Sequence, residues 1–140
     1  MRREFAGTRV LLVDDEPVNL AVAQLMLEDV GLSVDTATDG AQAIARARQA
    51  AYAVILMDMQ MPRMDGIDAT REIRRIQGRE STPIIAMTAN AFEGDRNRCL
   101  DAGMDDFITK PVDPAVLFAA LQHWLGRRDA PGAGAAQPQH

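Results

Sequence analysis

Five residues with chemically capable side chains stand where apolar runs end in this 140-residue chain. Asp14 and Asp15 follow Val10 to Val13, Asp58 follows Ala53 to Met57, Thr88 follows Pro83 to Met87, and Lys110 follows Phe107 to Thr109. If each run is a buried strand of a parallel sheet, all five converge on one edge, because open α/β sheets bind ligands beyond the carboxyl ends of their strands. Three carboxylates gathered there repel by roughly 4 kcal/mol per close pair at an effective dielectric of about 20. A cation relieves that repulsion. Oxygen ligands with no His or Cys beside them favour a hard ion, and Mg²⁺ that keeps several waters suits an open site, with Mn²⁺ as the substitute. Such an ion also neutralises an incoming phosphoryl group, whose transfer asks the protein for an in-line nucleophile and positive charge on the non-bridging oxygens. Asp58 is the expected nucleophile, with Mg²⁺ and Lys110 supplying charge. Lys110 is the only lysine among 15 basic residues. A chain that otherwise uses arginine keeps a compact point charge here, which a planar guanidinium does not replace.

The elements that must position these residues can be read from hydrophobic periodicity. Ser33 to Ala37 alternates more than the other runs and suits a strand nearer an edge. Helical stripes fill the gaps: Val18, Val22, Leu25 and Met26, with Pro17 in the first turn and Gly31 as a stop; Ile44, Ala47 and Ala51; Ile67, Thr70, Ile73 and Ile76; and Leu117, Ala120, Leu121 and Trp124, with Asp113 as N-cap and Pro114 as first helical residue. The segment from Ala91 to Gly103 is polar, with only Cys99 and Leu100 as clear anchors, and makes the weakest helix. This βαβαβαβαβα order implies a mostly parallel five-stranded sheet with helices on both faces, since parallel neighbours need right-handed crossovers through a helix. Residues 8–126 are the expected domain, and residues 127–140 turn to Ala, Gly, Pro and Gln and read as a flexible tail or linker.

Composition narrows the function class. At 47% hydrophobic residues the chain can build one ordinary core. Its apolar runs fall far short of the roughly 20 residues of a membrane span, and no leader pattern opens the chain, so no membrane and a cytoplasmic location are expected. A net charge of −5 without aromatics among basic residues argues against direct nucleic-acid binding. One cysteine excludes an internal disulfide. Met57, Met59, Met61 and Met64 read as gap-filling packing rather than soft-metal ligands.

The segments Leu12-Val13-Asp14-Asp15-Glu16, Met57-Asp58-Met59-Gln60-Met61-Pro62, Met64-Asp65-Gly66, Met87-Thr88-Ala89 and Lys110-Pro111 together resemble the receiver domains of two-component response regulators, over about Val10 to Leu125. The resemblance implies a flavodoxin-like fold with strand order 2-1-3-4-5. It makes Asp58 the phosphoacceptor and Asp15 a direct metal ligand, with Asp14 acting through water and Gln60 through its backbone carbonyl. It gives Thr88 the hydroxyl that bonds the phosphoryl group, Lys110 a phosphoryl oxygen and a cis bond to Pro111, and Phe107 the place of the switch aromatic, with the ring but without tyrosine's hydroxyl. The implied partner is a histidine kinase or a histidine phosphotransfer domain. The implied output, and the surface for a homodimer, is the face formed by the helix from Ala91 to Gly103, the strand at Phe107 and the final helix. The Met-Asp-Met-Gln-Met-Pro wording and Thr88-Ala89-Asn90-Ala91 are most similar to receivers attached to hybrid histidine kinases. No kinase catalytic segment lies in the sequence, so a phosphoacceptor rather than an enzyme is expected, either standing alone or as a module of a hybrid kinase.

Taken singly, each residue has a plainer explanation: Asp14, Asp15 or Glu16 as a helix cap, Thr88 as another, Phe107 as core, Lys110 as a solvated charge. Their joint placement is what argues for a site. Three other functions fit parts of the pattern. An aspartate-nucleophile phosphatase similar to the haloacid dehalogenases places a second Asp two residues after the first as general acid, where this chain has Gln60. A degenerate receiver acting only as a docking module is expected to lack an acidic residue, the acceptor or the lysine, and none is missing. A flavin binder needs a phosphate cradle after the first strand, where Asp14-Asp15-Glu16 stands instead.

Overall fold

The structure, a computed structural model, describes residues 8–59, 66–76, 78, 82–88, 100–109 and 113–129. Apolar, β-branched runs form the strands β1 (Arg9–Val13), β2 (Ser33–Ala37), β3 (Val54–Asp58), β4 (Ile84–Thr88) and β5 (Asp106–Thr109). Every residue of β3 and β4 is buried, as expected of strands covered on both faces, whereas β2 and β5 are partly open. All neighbours pair in parallel in the order β2-β1-β3-β4-β5, which is the expected flavodoxin-like arrangement.

Among the described residues the sheet is flanked by the helices α1 (Pro17–Asp29), α2 (Gly40–Gln49), α3 (Gly66–Arg74) and α4 (Pro114–Asp129). One face of the sheet is covered by Ala23 and Leu27 of α1 with Leu117 and Leu121 of α4, packed on Val10, Leu12, Leu56 and Ile85. The other is covered by Ala43, Ile44 and Ala47 of α2 with Ile67 and Ile73 of α3, packed on Leu11, Val13, Ile55 and Met57. Right-handed crossovers put α1, which leads from β1 outward to β2, on one face and α2 and α3, which lead back towards β3 and β4, on the other. Residues 100–102 are helical and end at Gly103, whose φ of 107° is the left-handed conformation glycine takes at no steric cost.

Two helix expectations need correction. The stripe Val18, Val22 and Leu25 does not face the core: these side chains are 66%, 51% and 68% exposed, and α1 buries Ala23 and Leu27 instead, with Leu20 and Met26 partly covered. Both sides of α1 are apolar, so periodicity alone offered two faces of nearly equal merit. Ala51 is exposed and lies past the end of α2, which buries Ala43 in its place. The last helix runs past Gly126 to Asp129. The segment from Ala91 to Cys99 and residues 130–140 lie outside the described residues.

The edge strand β2 is tied to the sheet's interior by a buried tyrosine. The Tyr52 hydroxyl donates to Asp35 Oδ2 at 2.7 Å, and burial, reinforced by that hydrogen bond and the Asp35 charge, pushes its pKa up to about 12. Tyr52 is the only tyrosine, so an ultraviolet pH titration reads it alone. Its midpoint is expected near 12, not near the ordinary value of 10.0. The folded state holds this proton more tightly than the unfolded chain. The associated stability is therefore complete below about pH 10 and is lost as pH rises through about 12. Tyr52→Phe should remove that alkaline loss. A midpoint at the ordinary value would show that the hydroxyl is solvated.

Candidate functional site

The sheet register sets the site. Val13 pairs with Met57, Asp58 with Met87, and Thr88 with Thr109, so the ends of β1, β3, β4 and β5 lie side by side. Asp58 and Thr88 are the last residues of their strands, and Asp14 and Asp15 leave β1 at the same edge. Asp14, Asp58 and Thr88 are buried, while Asp15 is exposed. One carboxylate oxygen from each of Asp14, Asp15 and Asp58 lies within 4.8 Å of the others. At that separation two carboxylate charges repel by about 3 kcal/mol at an effective dielectric of about 20. The fold therefore holds its acidic residues in a crowd that a cation would stabilise.

Local structure fixes this crowd. The Asp14 N–H donates to the Ala37 carbonyl at 3.1 Å, extending the β1–β2 ladder by one residue. The Asp14 Oδ1 then accepts the Glu16 N–H at 2.9 Å, a turn that swings the chain from strand to helix and leaves Asp15 at its tip. Glu16 caps α1 by accepting the Val18 N–H at 3.4 Å, with Pro17 at the start of the helix. Of the three acidic residues weighed as caps, Glu16 takes that role and so leaves Asp15 clear of it.

Beyond Asp58, Met59 donates to the Met87 carbonyl at 2.9 Å, and the Gly66 N–H returns to the Met59 carbonyl at 3.2 Å. A Cβ on Gly66 would overlap the Asp58 carbonyl oxygen. Only glycine allows α3 to start this close to the acceptor strand. That contact was carried in the sequence by the Met64-Asp65-Gly66 segment, but nothing there revealed what Gly66 touches. Phe107 is half-buried on β5 and packs against the α2–α3 side of the core. Lys110, Gln60 and Pro111 lie outside the described residues; in sequence, Lys110 follows Thr109, the register partner of Thr88, and Gln60 follows Met59.

This donor set consists of carboxylates alone, with no histidine or cysteine among the described residues of the cluster. Hard divalent ions such as Mg²⁺ and Mn²⁺ prefer such ligands. The residues present therefore fit a resident Mg²⁺.

Residues 10–122 match the family model of the response regulator receiver domain. Among curated proteins, the chain is 41% identical over 121 residues to the sensor protein GacS of Pseudomonas syringae pv. syringae, covering 84% of this chain and 13% of that protein. It is 42% identical over 125 residues to the signal transduction histidine-protein kinase BarA of Escherichia coli K12, covering 89% of this chain and 13% of BarA. The chain thus spans only a small part of these relatives. Among solved structures, it is similar to the receiver domain of the sensor histidine kinase PA1611 from Pseudomonas aeruginosa PAO1, which has a magnesium ion coordinated in its active-site cleft. The TM-score is 0.81 at 48% identity, over 86% of this chain and 99% of that one. It is also similar to the Saccharomyces cerevisiae receiver domain of Ssk1 in complex with the histidine phosphotransfer protein Ypd1, with a TM-score of 0.83 at 27% identity, over 89% of this chain and 94% of that one. The sheet order, the acidic edge and the family match agree: this chain belongs to the response regulator receiver domain family, and its sequence relatives include the receivers of hybrid histidine kinases.

Proposed function

We propose that Asp58 accepts a phosphoryl group from a phosphohistidine on a histidine kinase or histidine phosphotransfer domain, in a reaction that depends on Mg²⁺. The observation that carries this reading is the convergence of Asp14, Asp15 and Asp58 within 4.8 Å at the carboxyl edge of the sheet. An Asp58 carboxylate oxygen attacks phosphorus as the P–N bond to the donor imidazole breaks, and the electron pair leaves with the imidazole nitrogen. Bound Mg²⁺ would supply positive charge to the non-bridging oxygens. Asp15 would hold it directly, Asp14 through water and Gln60 through its backbone carbonyl, while Lys110 would meet another phosphoryl oxygen. Thr88, buried at the end of β4, would bond the phosphoryl group and relay its arrival to Phe107. Residues 8–126 form the working unit in this reading, acting in the cytoplasm as a phosphoacceptor rather than a turnover enzyme. Output, or pairing with a second copy, would use the surface formed by residues 91–103, β5 and α4.

The partner reading has its own support. Val18, Val22 and Leu25 expose an apolar strip on a helix that starts two residues after Asp15. A donor that brings a histidine to Asp58 must approach this edge. Exposed large apolar side chains grouped on one helix face are a common mark of a docking surface.

The first test is metal binding and labelling together. Wild-type protein given Mg²⁺ and a small phosphodonor should gain one phosphoryl group by intact mass, and chelation should prevent it. Asp15→Ala should weaken Mg²⁺ by about tenfold or more, the scale on which losing even an outer partner of a metal ligand acts. Full labelling in the presence of a chelator would exclude the metal-assisted reaction.

A further inference from the structure

Arg74, the last residue of α3, sits at the edge of the sheet opposite the acidic cluster and takes no part in the chemistry proposed above. Its side chain nevertheless bridges three segments. Nε and Nη2 both donate to the Gly103 carbonyl, at 3.0 and 2.6 Å, and Nη1 donates to the Thr82 carbonyl at 2.6 Å. Nη2 also meets Asp105 Oδ2 at 2.9 Å, and that same oxygen accepts the Ile84 N–H at 2.9 Å. Gly103 is held so closely that a Cβ there would lie 3.2 Å from the Arg74 side chain. A charged fork that satisfies two main-chain carbonyls and a carboxylate is among the stronger arrangements a side chain makes.

The position of this clamp matters more than its strength. Its near end is α3, whose first residue, Gly66, rests on the Asp58 carbonyl oxygen. Its far end holds the entrances of β4 and β5, and the exits of those strands carry Thr88 and Thr109, with Phe107 between. Asp58, α3, Arg74, β4 and β5 therefore form a closed ring of contacts. If the entrances are fixed, a displacement begun at Thr88 must appear at the exit end and along β5. Asp106, the first residue of β5 and next to the clamped Asp105, accepts a hydrogen bond from Trp124 Nε1 of α4 at 3.0 Å, which joins the held end of β5 to α4.

We propose that Arg74 is the fixed pivot of the receiver switch: by locking the entrances of β4 and β5 to α3, it directs a change at Thr88 into Phe107 and the β5–α4 face. This rests on the switching role proposed for Thr88. Arg74 is a positioning residue in this scheme, acting through the main chain at Gly103 and Thr82.

The test uses beryllofluoride with Mg²⁺ as a phosphoryl mimic. It reads residues 107–109, towards the exit end of β5, by amide exchange in the wild type, Arg74→Met and Arg74→Lys. Both variants are expected to bind the mimic about as tightly as the wild type. Their exchange response should fall about threefold or more, within the range seen for residues that tune coupling without touching either ligand. If Arg74→Met fails to fold by circular dichroism, Arg74→Lys decides, since it keeps the charge and stem but lacks the fork. A merely structural role would lower the melting temperature and leave the response at wild-type size, and that outcome overturns the pivot. A wild type that binds the mimic without any response overturns the switch reading itself, and this inference with it.

Discussion

Asp58→Asn is expected to abolish phosphoryl uptake from both a small phosphodonor and a phosphohistidine donor, with a loss of about 10⁴-fold or more, the scale on which removing a covalent nucleophile acts. An amide oxygen lacks the carboxylate's negative charge and cannot form a stable acyl phosphate. The shape is nearly unchanged, so the buried site need not repack. Stability should not suffer, and in the absence of metal it should rise, because one of three mutually repelling charges within 4.8 Å is gone. The melting temperature of the metal-free variant therefore checks the electrostatic account, and intact-mass labelling checks the chemistry. Undiminished labelling of Asp58→Asn would place the phosphoryl group on another residue. The same assay separates an acceptor from a phosphatase. An acceptor reaches one phosphoryl group per chain and then slows, whereas a phosphatase would keep releasing phosphate from the donor. Gln60, standing where the phosphatases carry their general acid, favours the first outcome.

Much of this site could be read from the sequence because its positions are set by backbone topology. A strand's last residue is identifiable wherever an apolar run stops, and parallel pairing brings such residues to one edge without any detail of packing. Asp14, Asp15, Asp58 and Thr88 were found in this way, and the structure brings them to that edge. Strand ends shifted by one residue, since Asp58 and Thr88 close their strands rather than follow them. What could not be read depends on contacts between distant segments. Arg74 looks in sequence like any solvated arginine near a helix C-terminus, and only the meeting of α3 with Gly103 and Thr82 gives it partners. The orientation of α1 was likewise undetermined. With Val18, Leu20, Val22, Ala23, Leu25, Met26 and Leu27 in one helix, the choice of buried face falls to the sheet beneath, which takes Ala23 and Leu27.

That unexpected orientation leads to the second large effect. Val22→Asp combined with Leu25→Glu should cut phosphotransfer from a histidine-bearing donor by roughly 30-fold to 1,000-fold while leaving labelling by a small phosphodonor unchanged. Burying a large aliphatic side chain contributes about 1.5–3 kcal/mol, and these two begin 51% and 68% exposed. Covering both in a complex is thus worth about 2–4 kcal/mol, which sets the quoted range at roughly tenfold per 1.4 kcal/mol. New charges facing an apolar partner surface would push the loss towards the upper end. The fold should tolerate both changes, because neither side chain belongs to the core formed by Ala23 and Leu27. A small phosphodonor needs only the acidic edge and its metal, so its rate acts as an internal control for an intact site. Loss of both activities would point to damage at Asp15, two residues before the helix begins. Loss of neither would mean that the donor reaches Asp58 over another surface and that the apolar strip of α1 serves a different contact. Loss of the histidine-dependent reaction alone, measured as a fall in kcat/KM, is the outcome that assigns this strip to the phosphodonor.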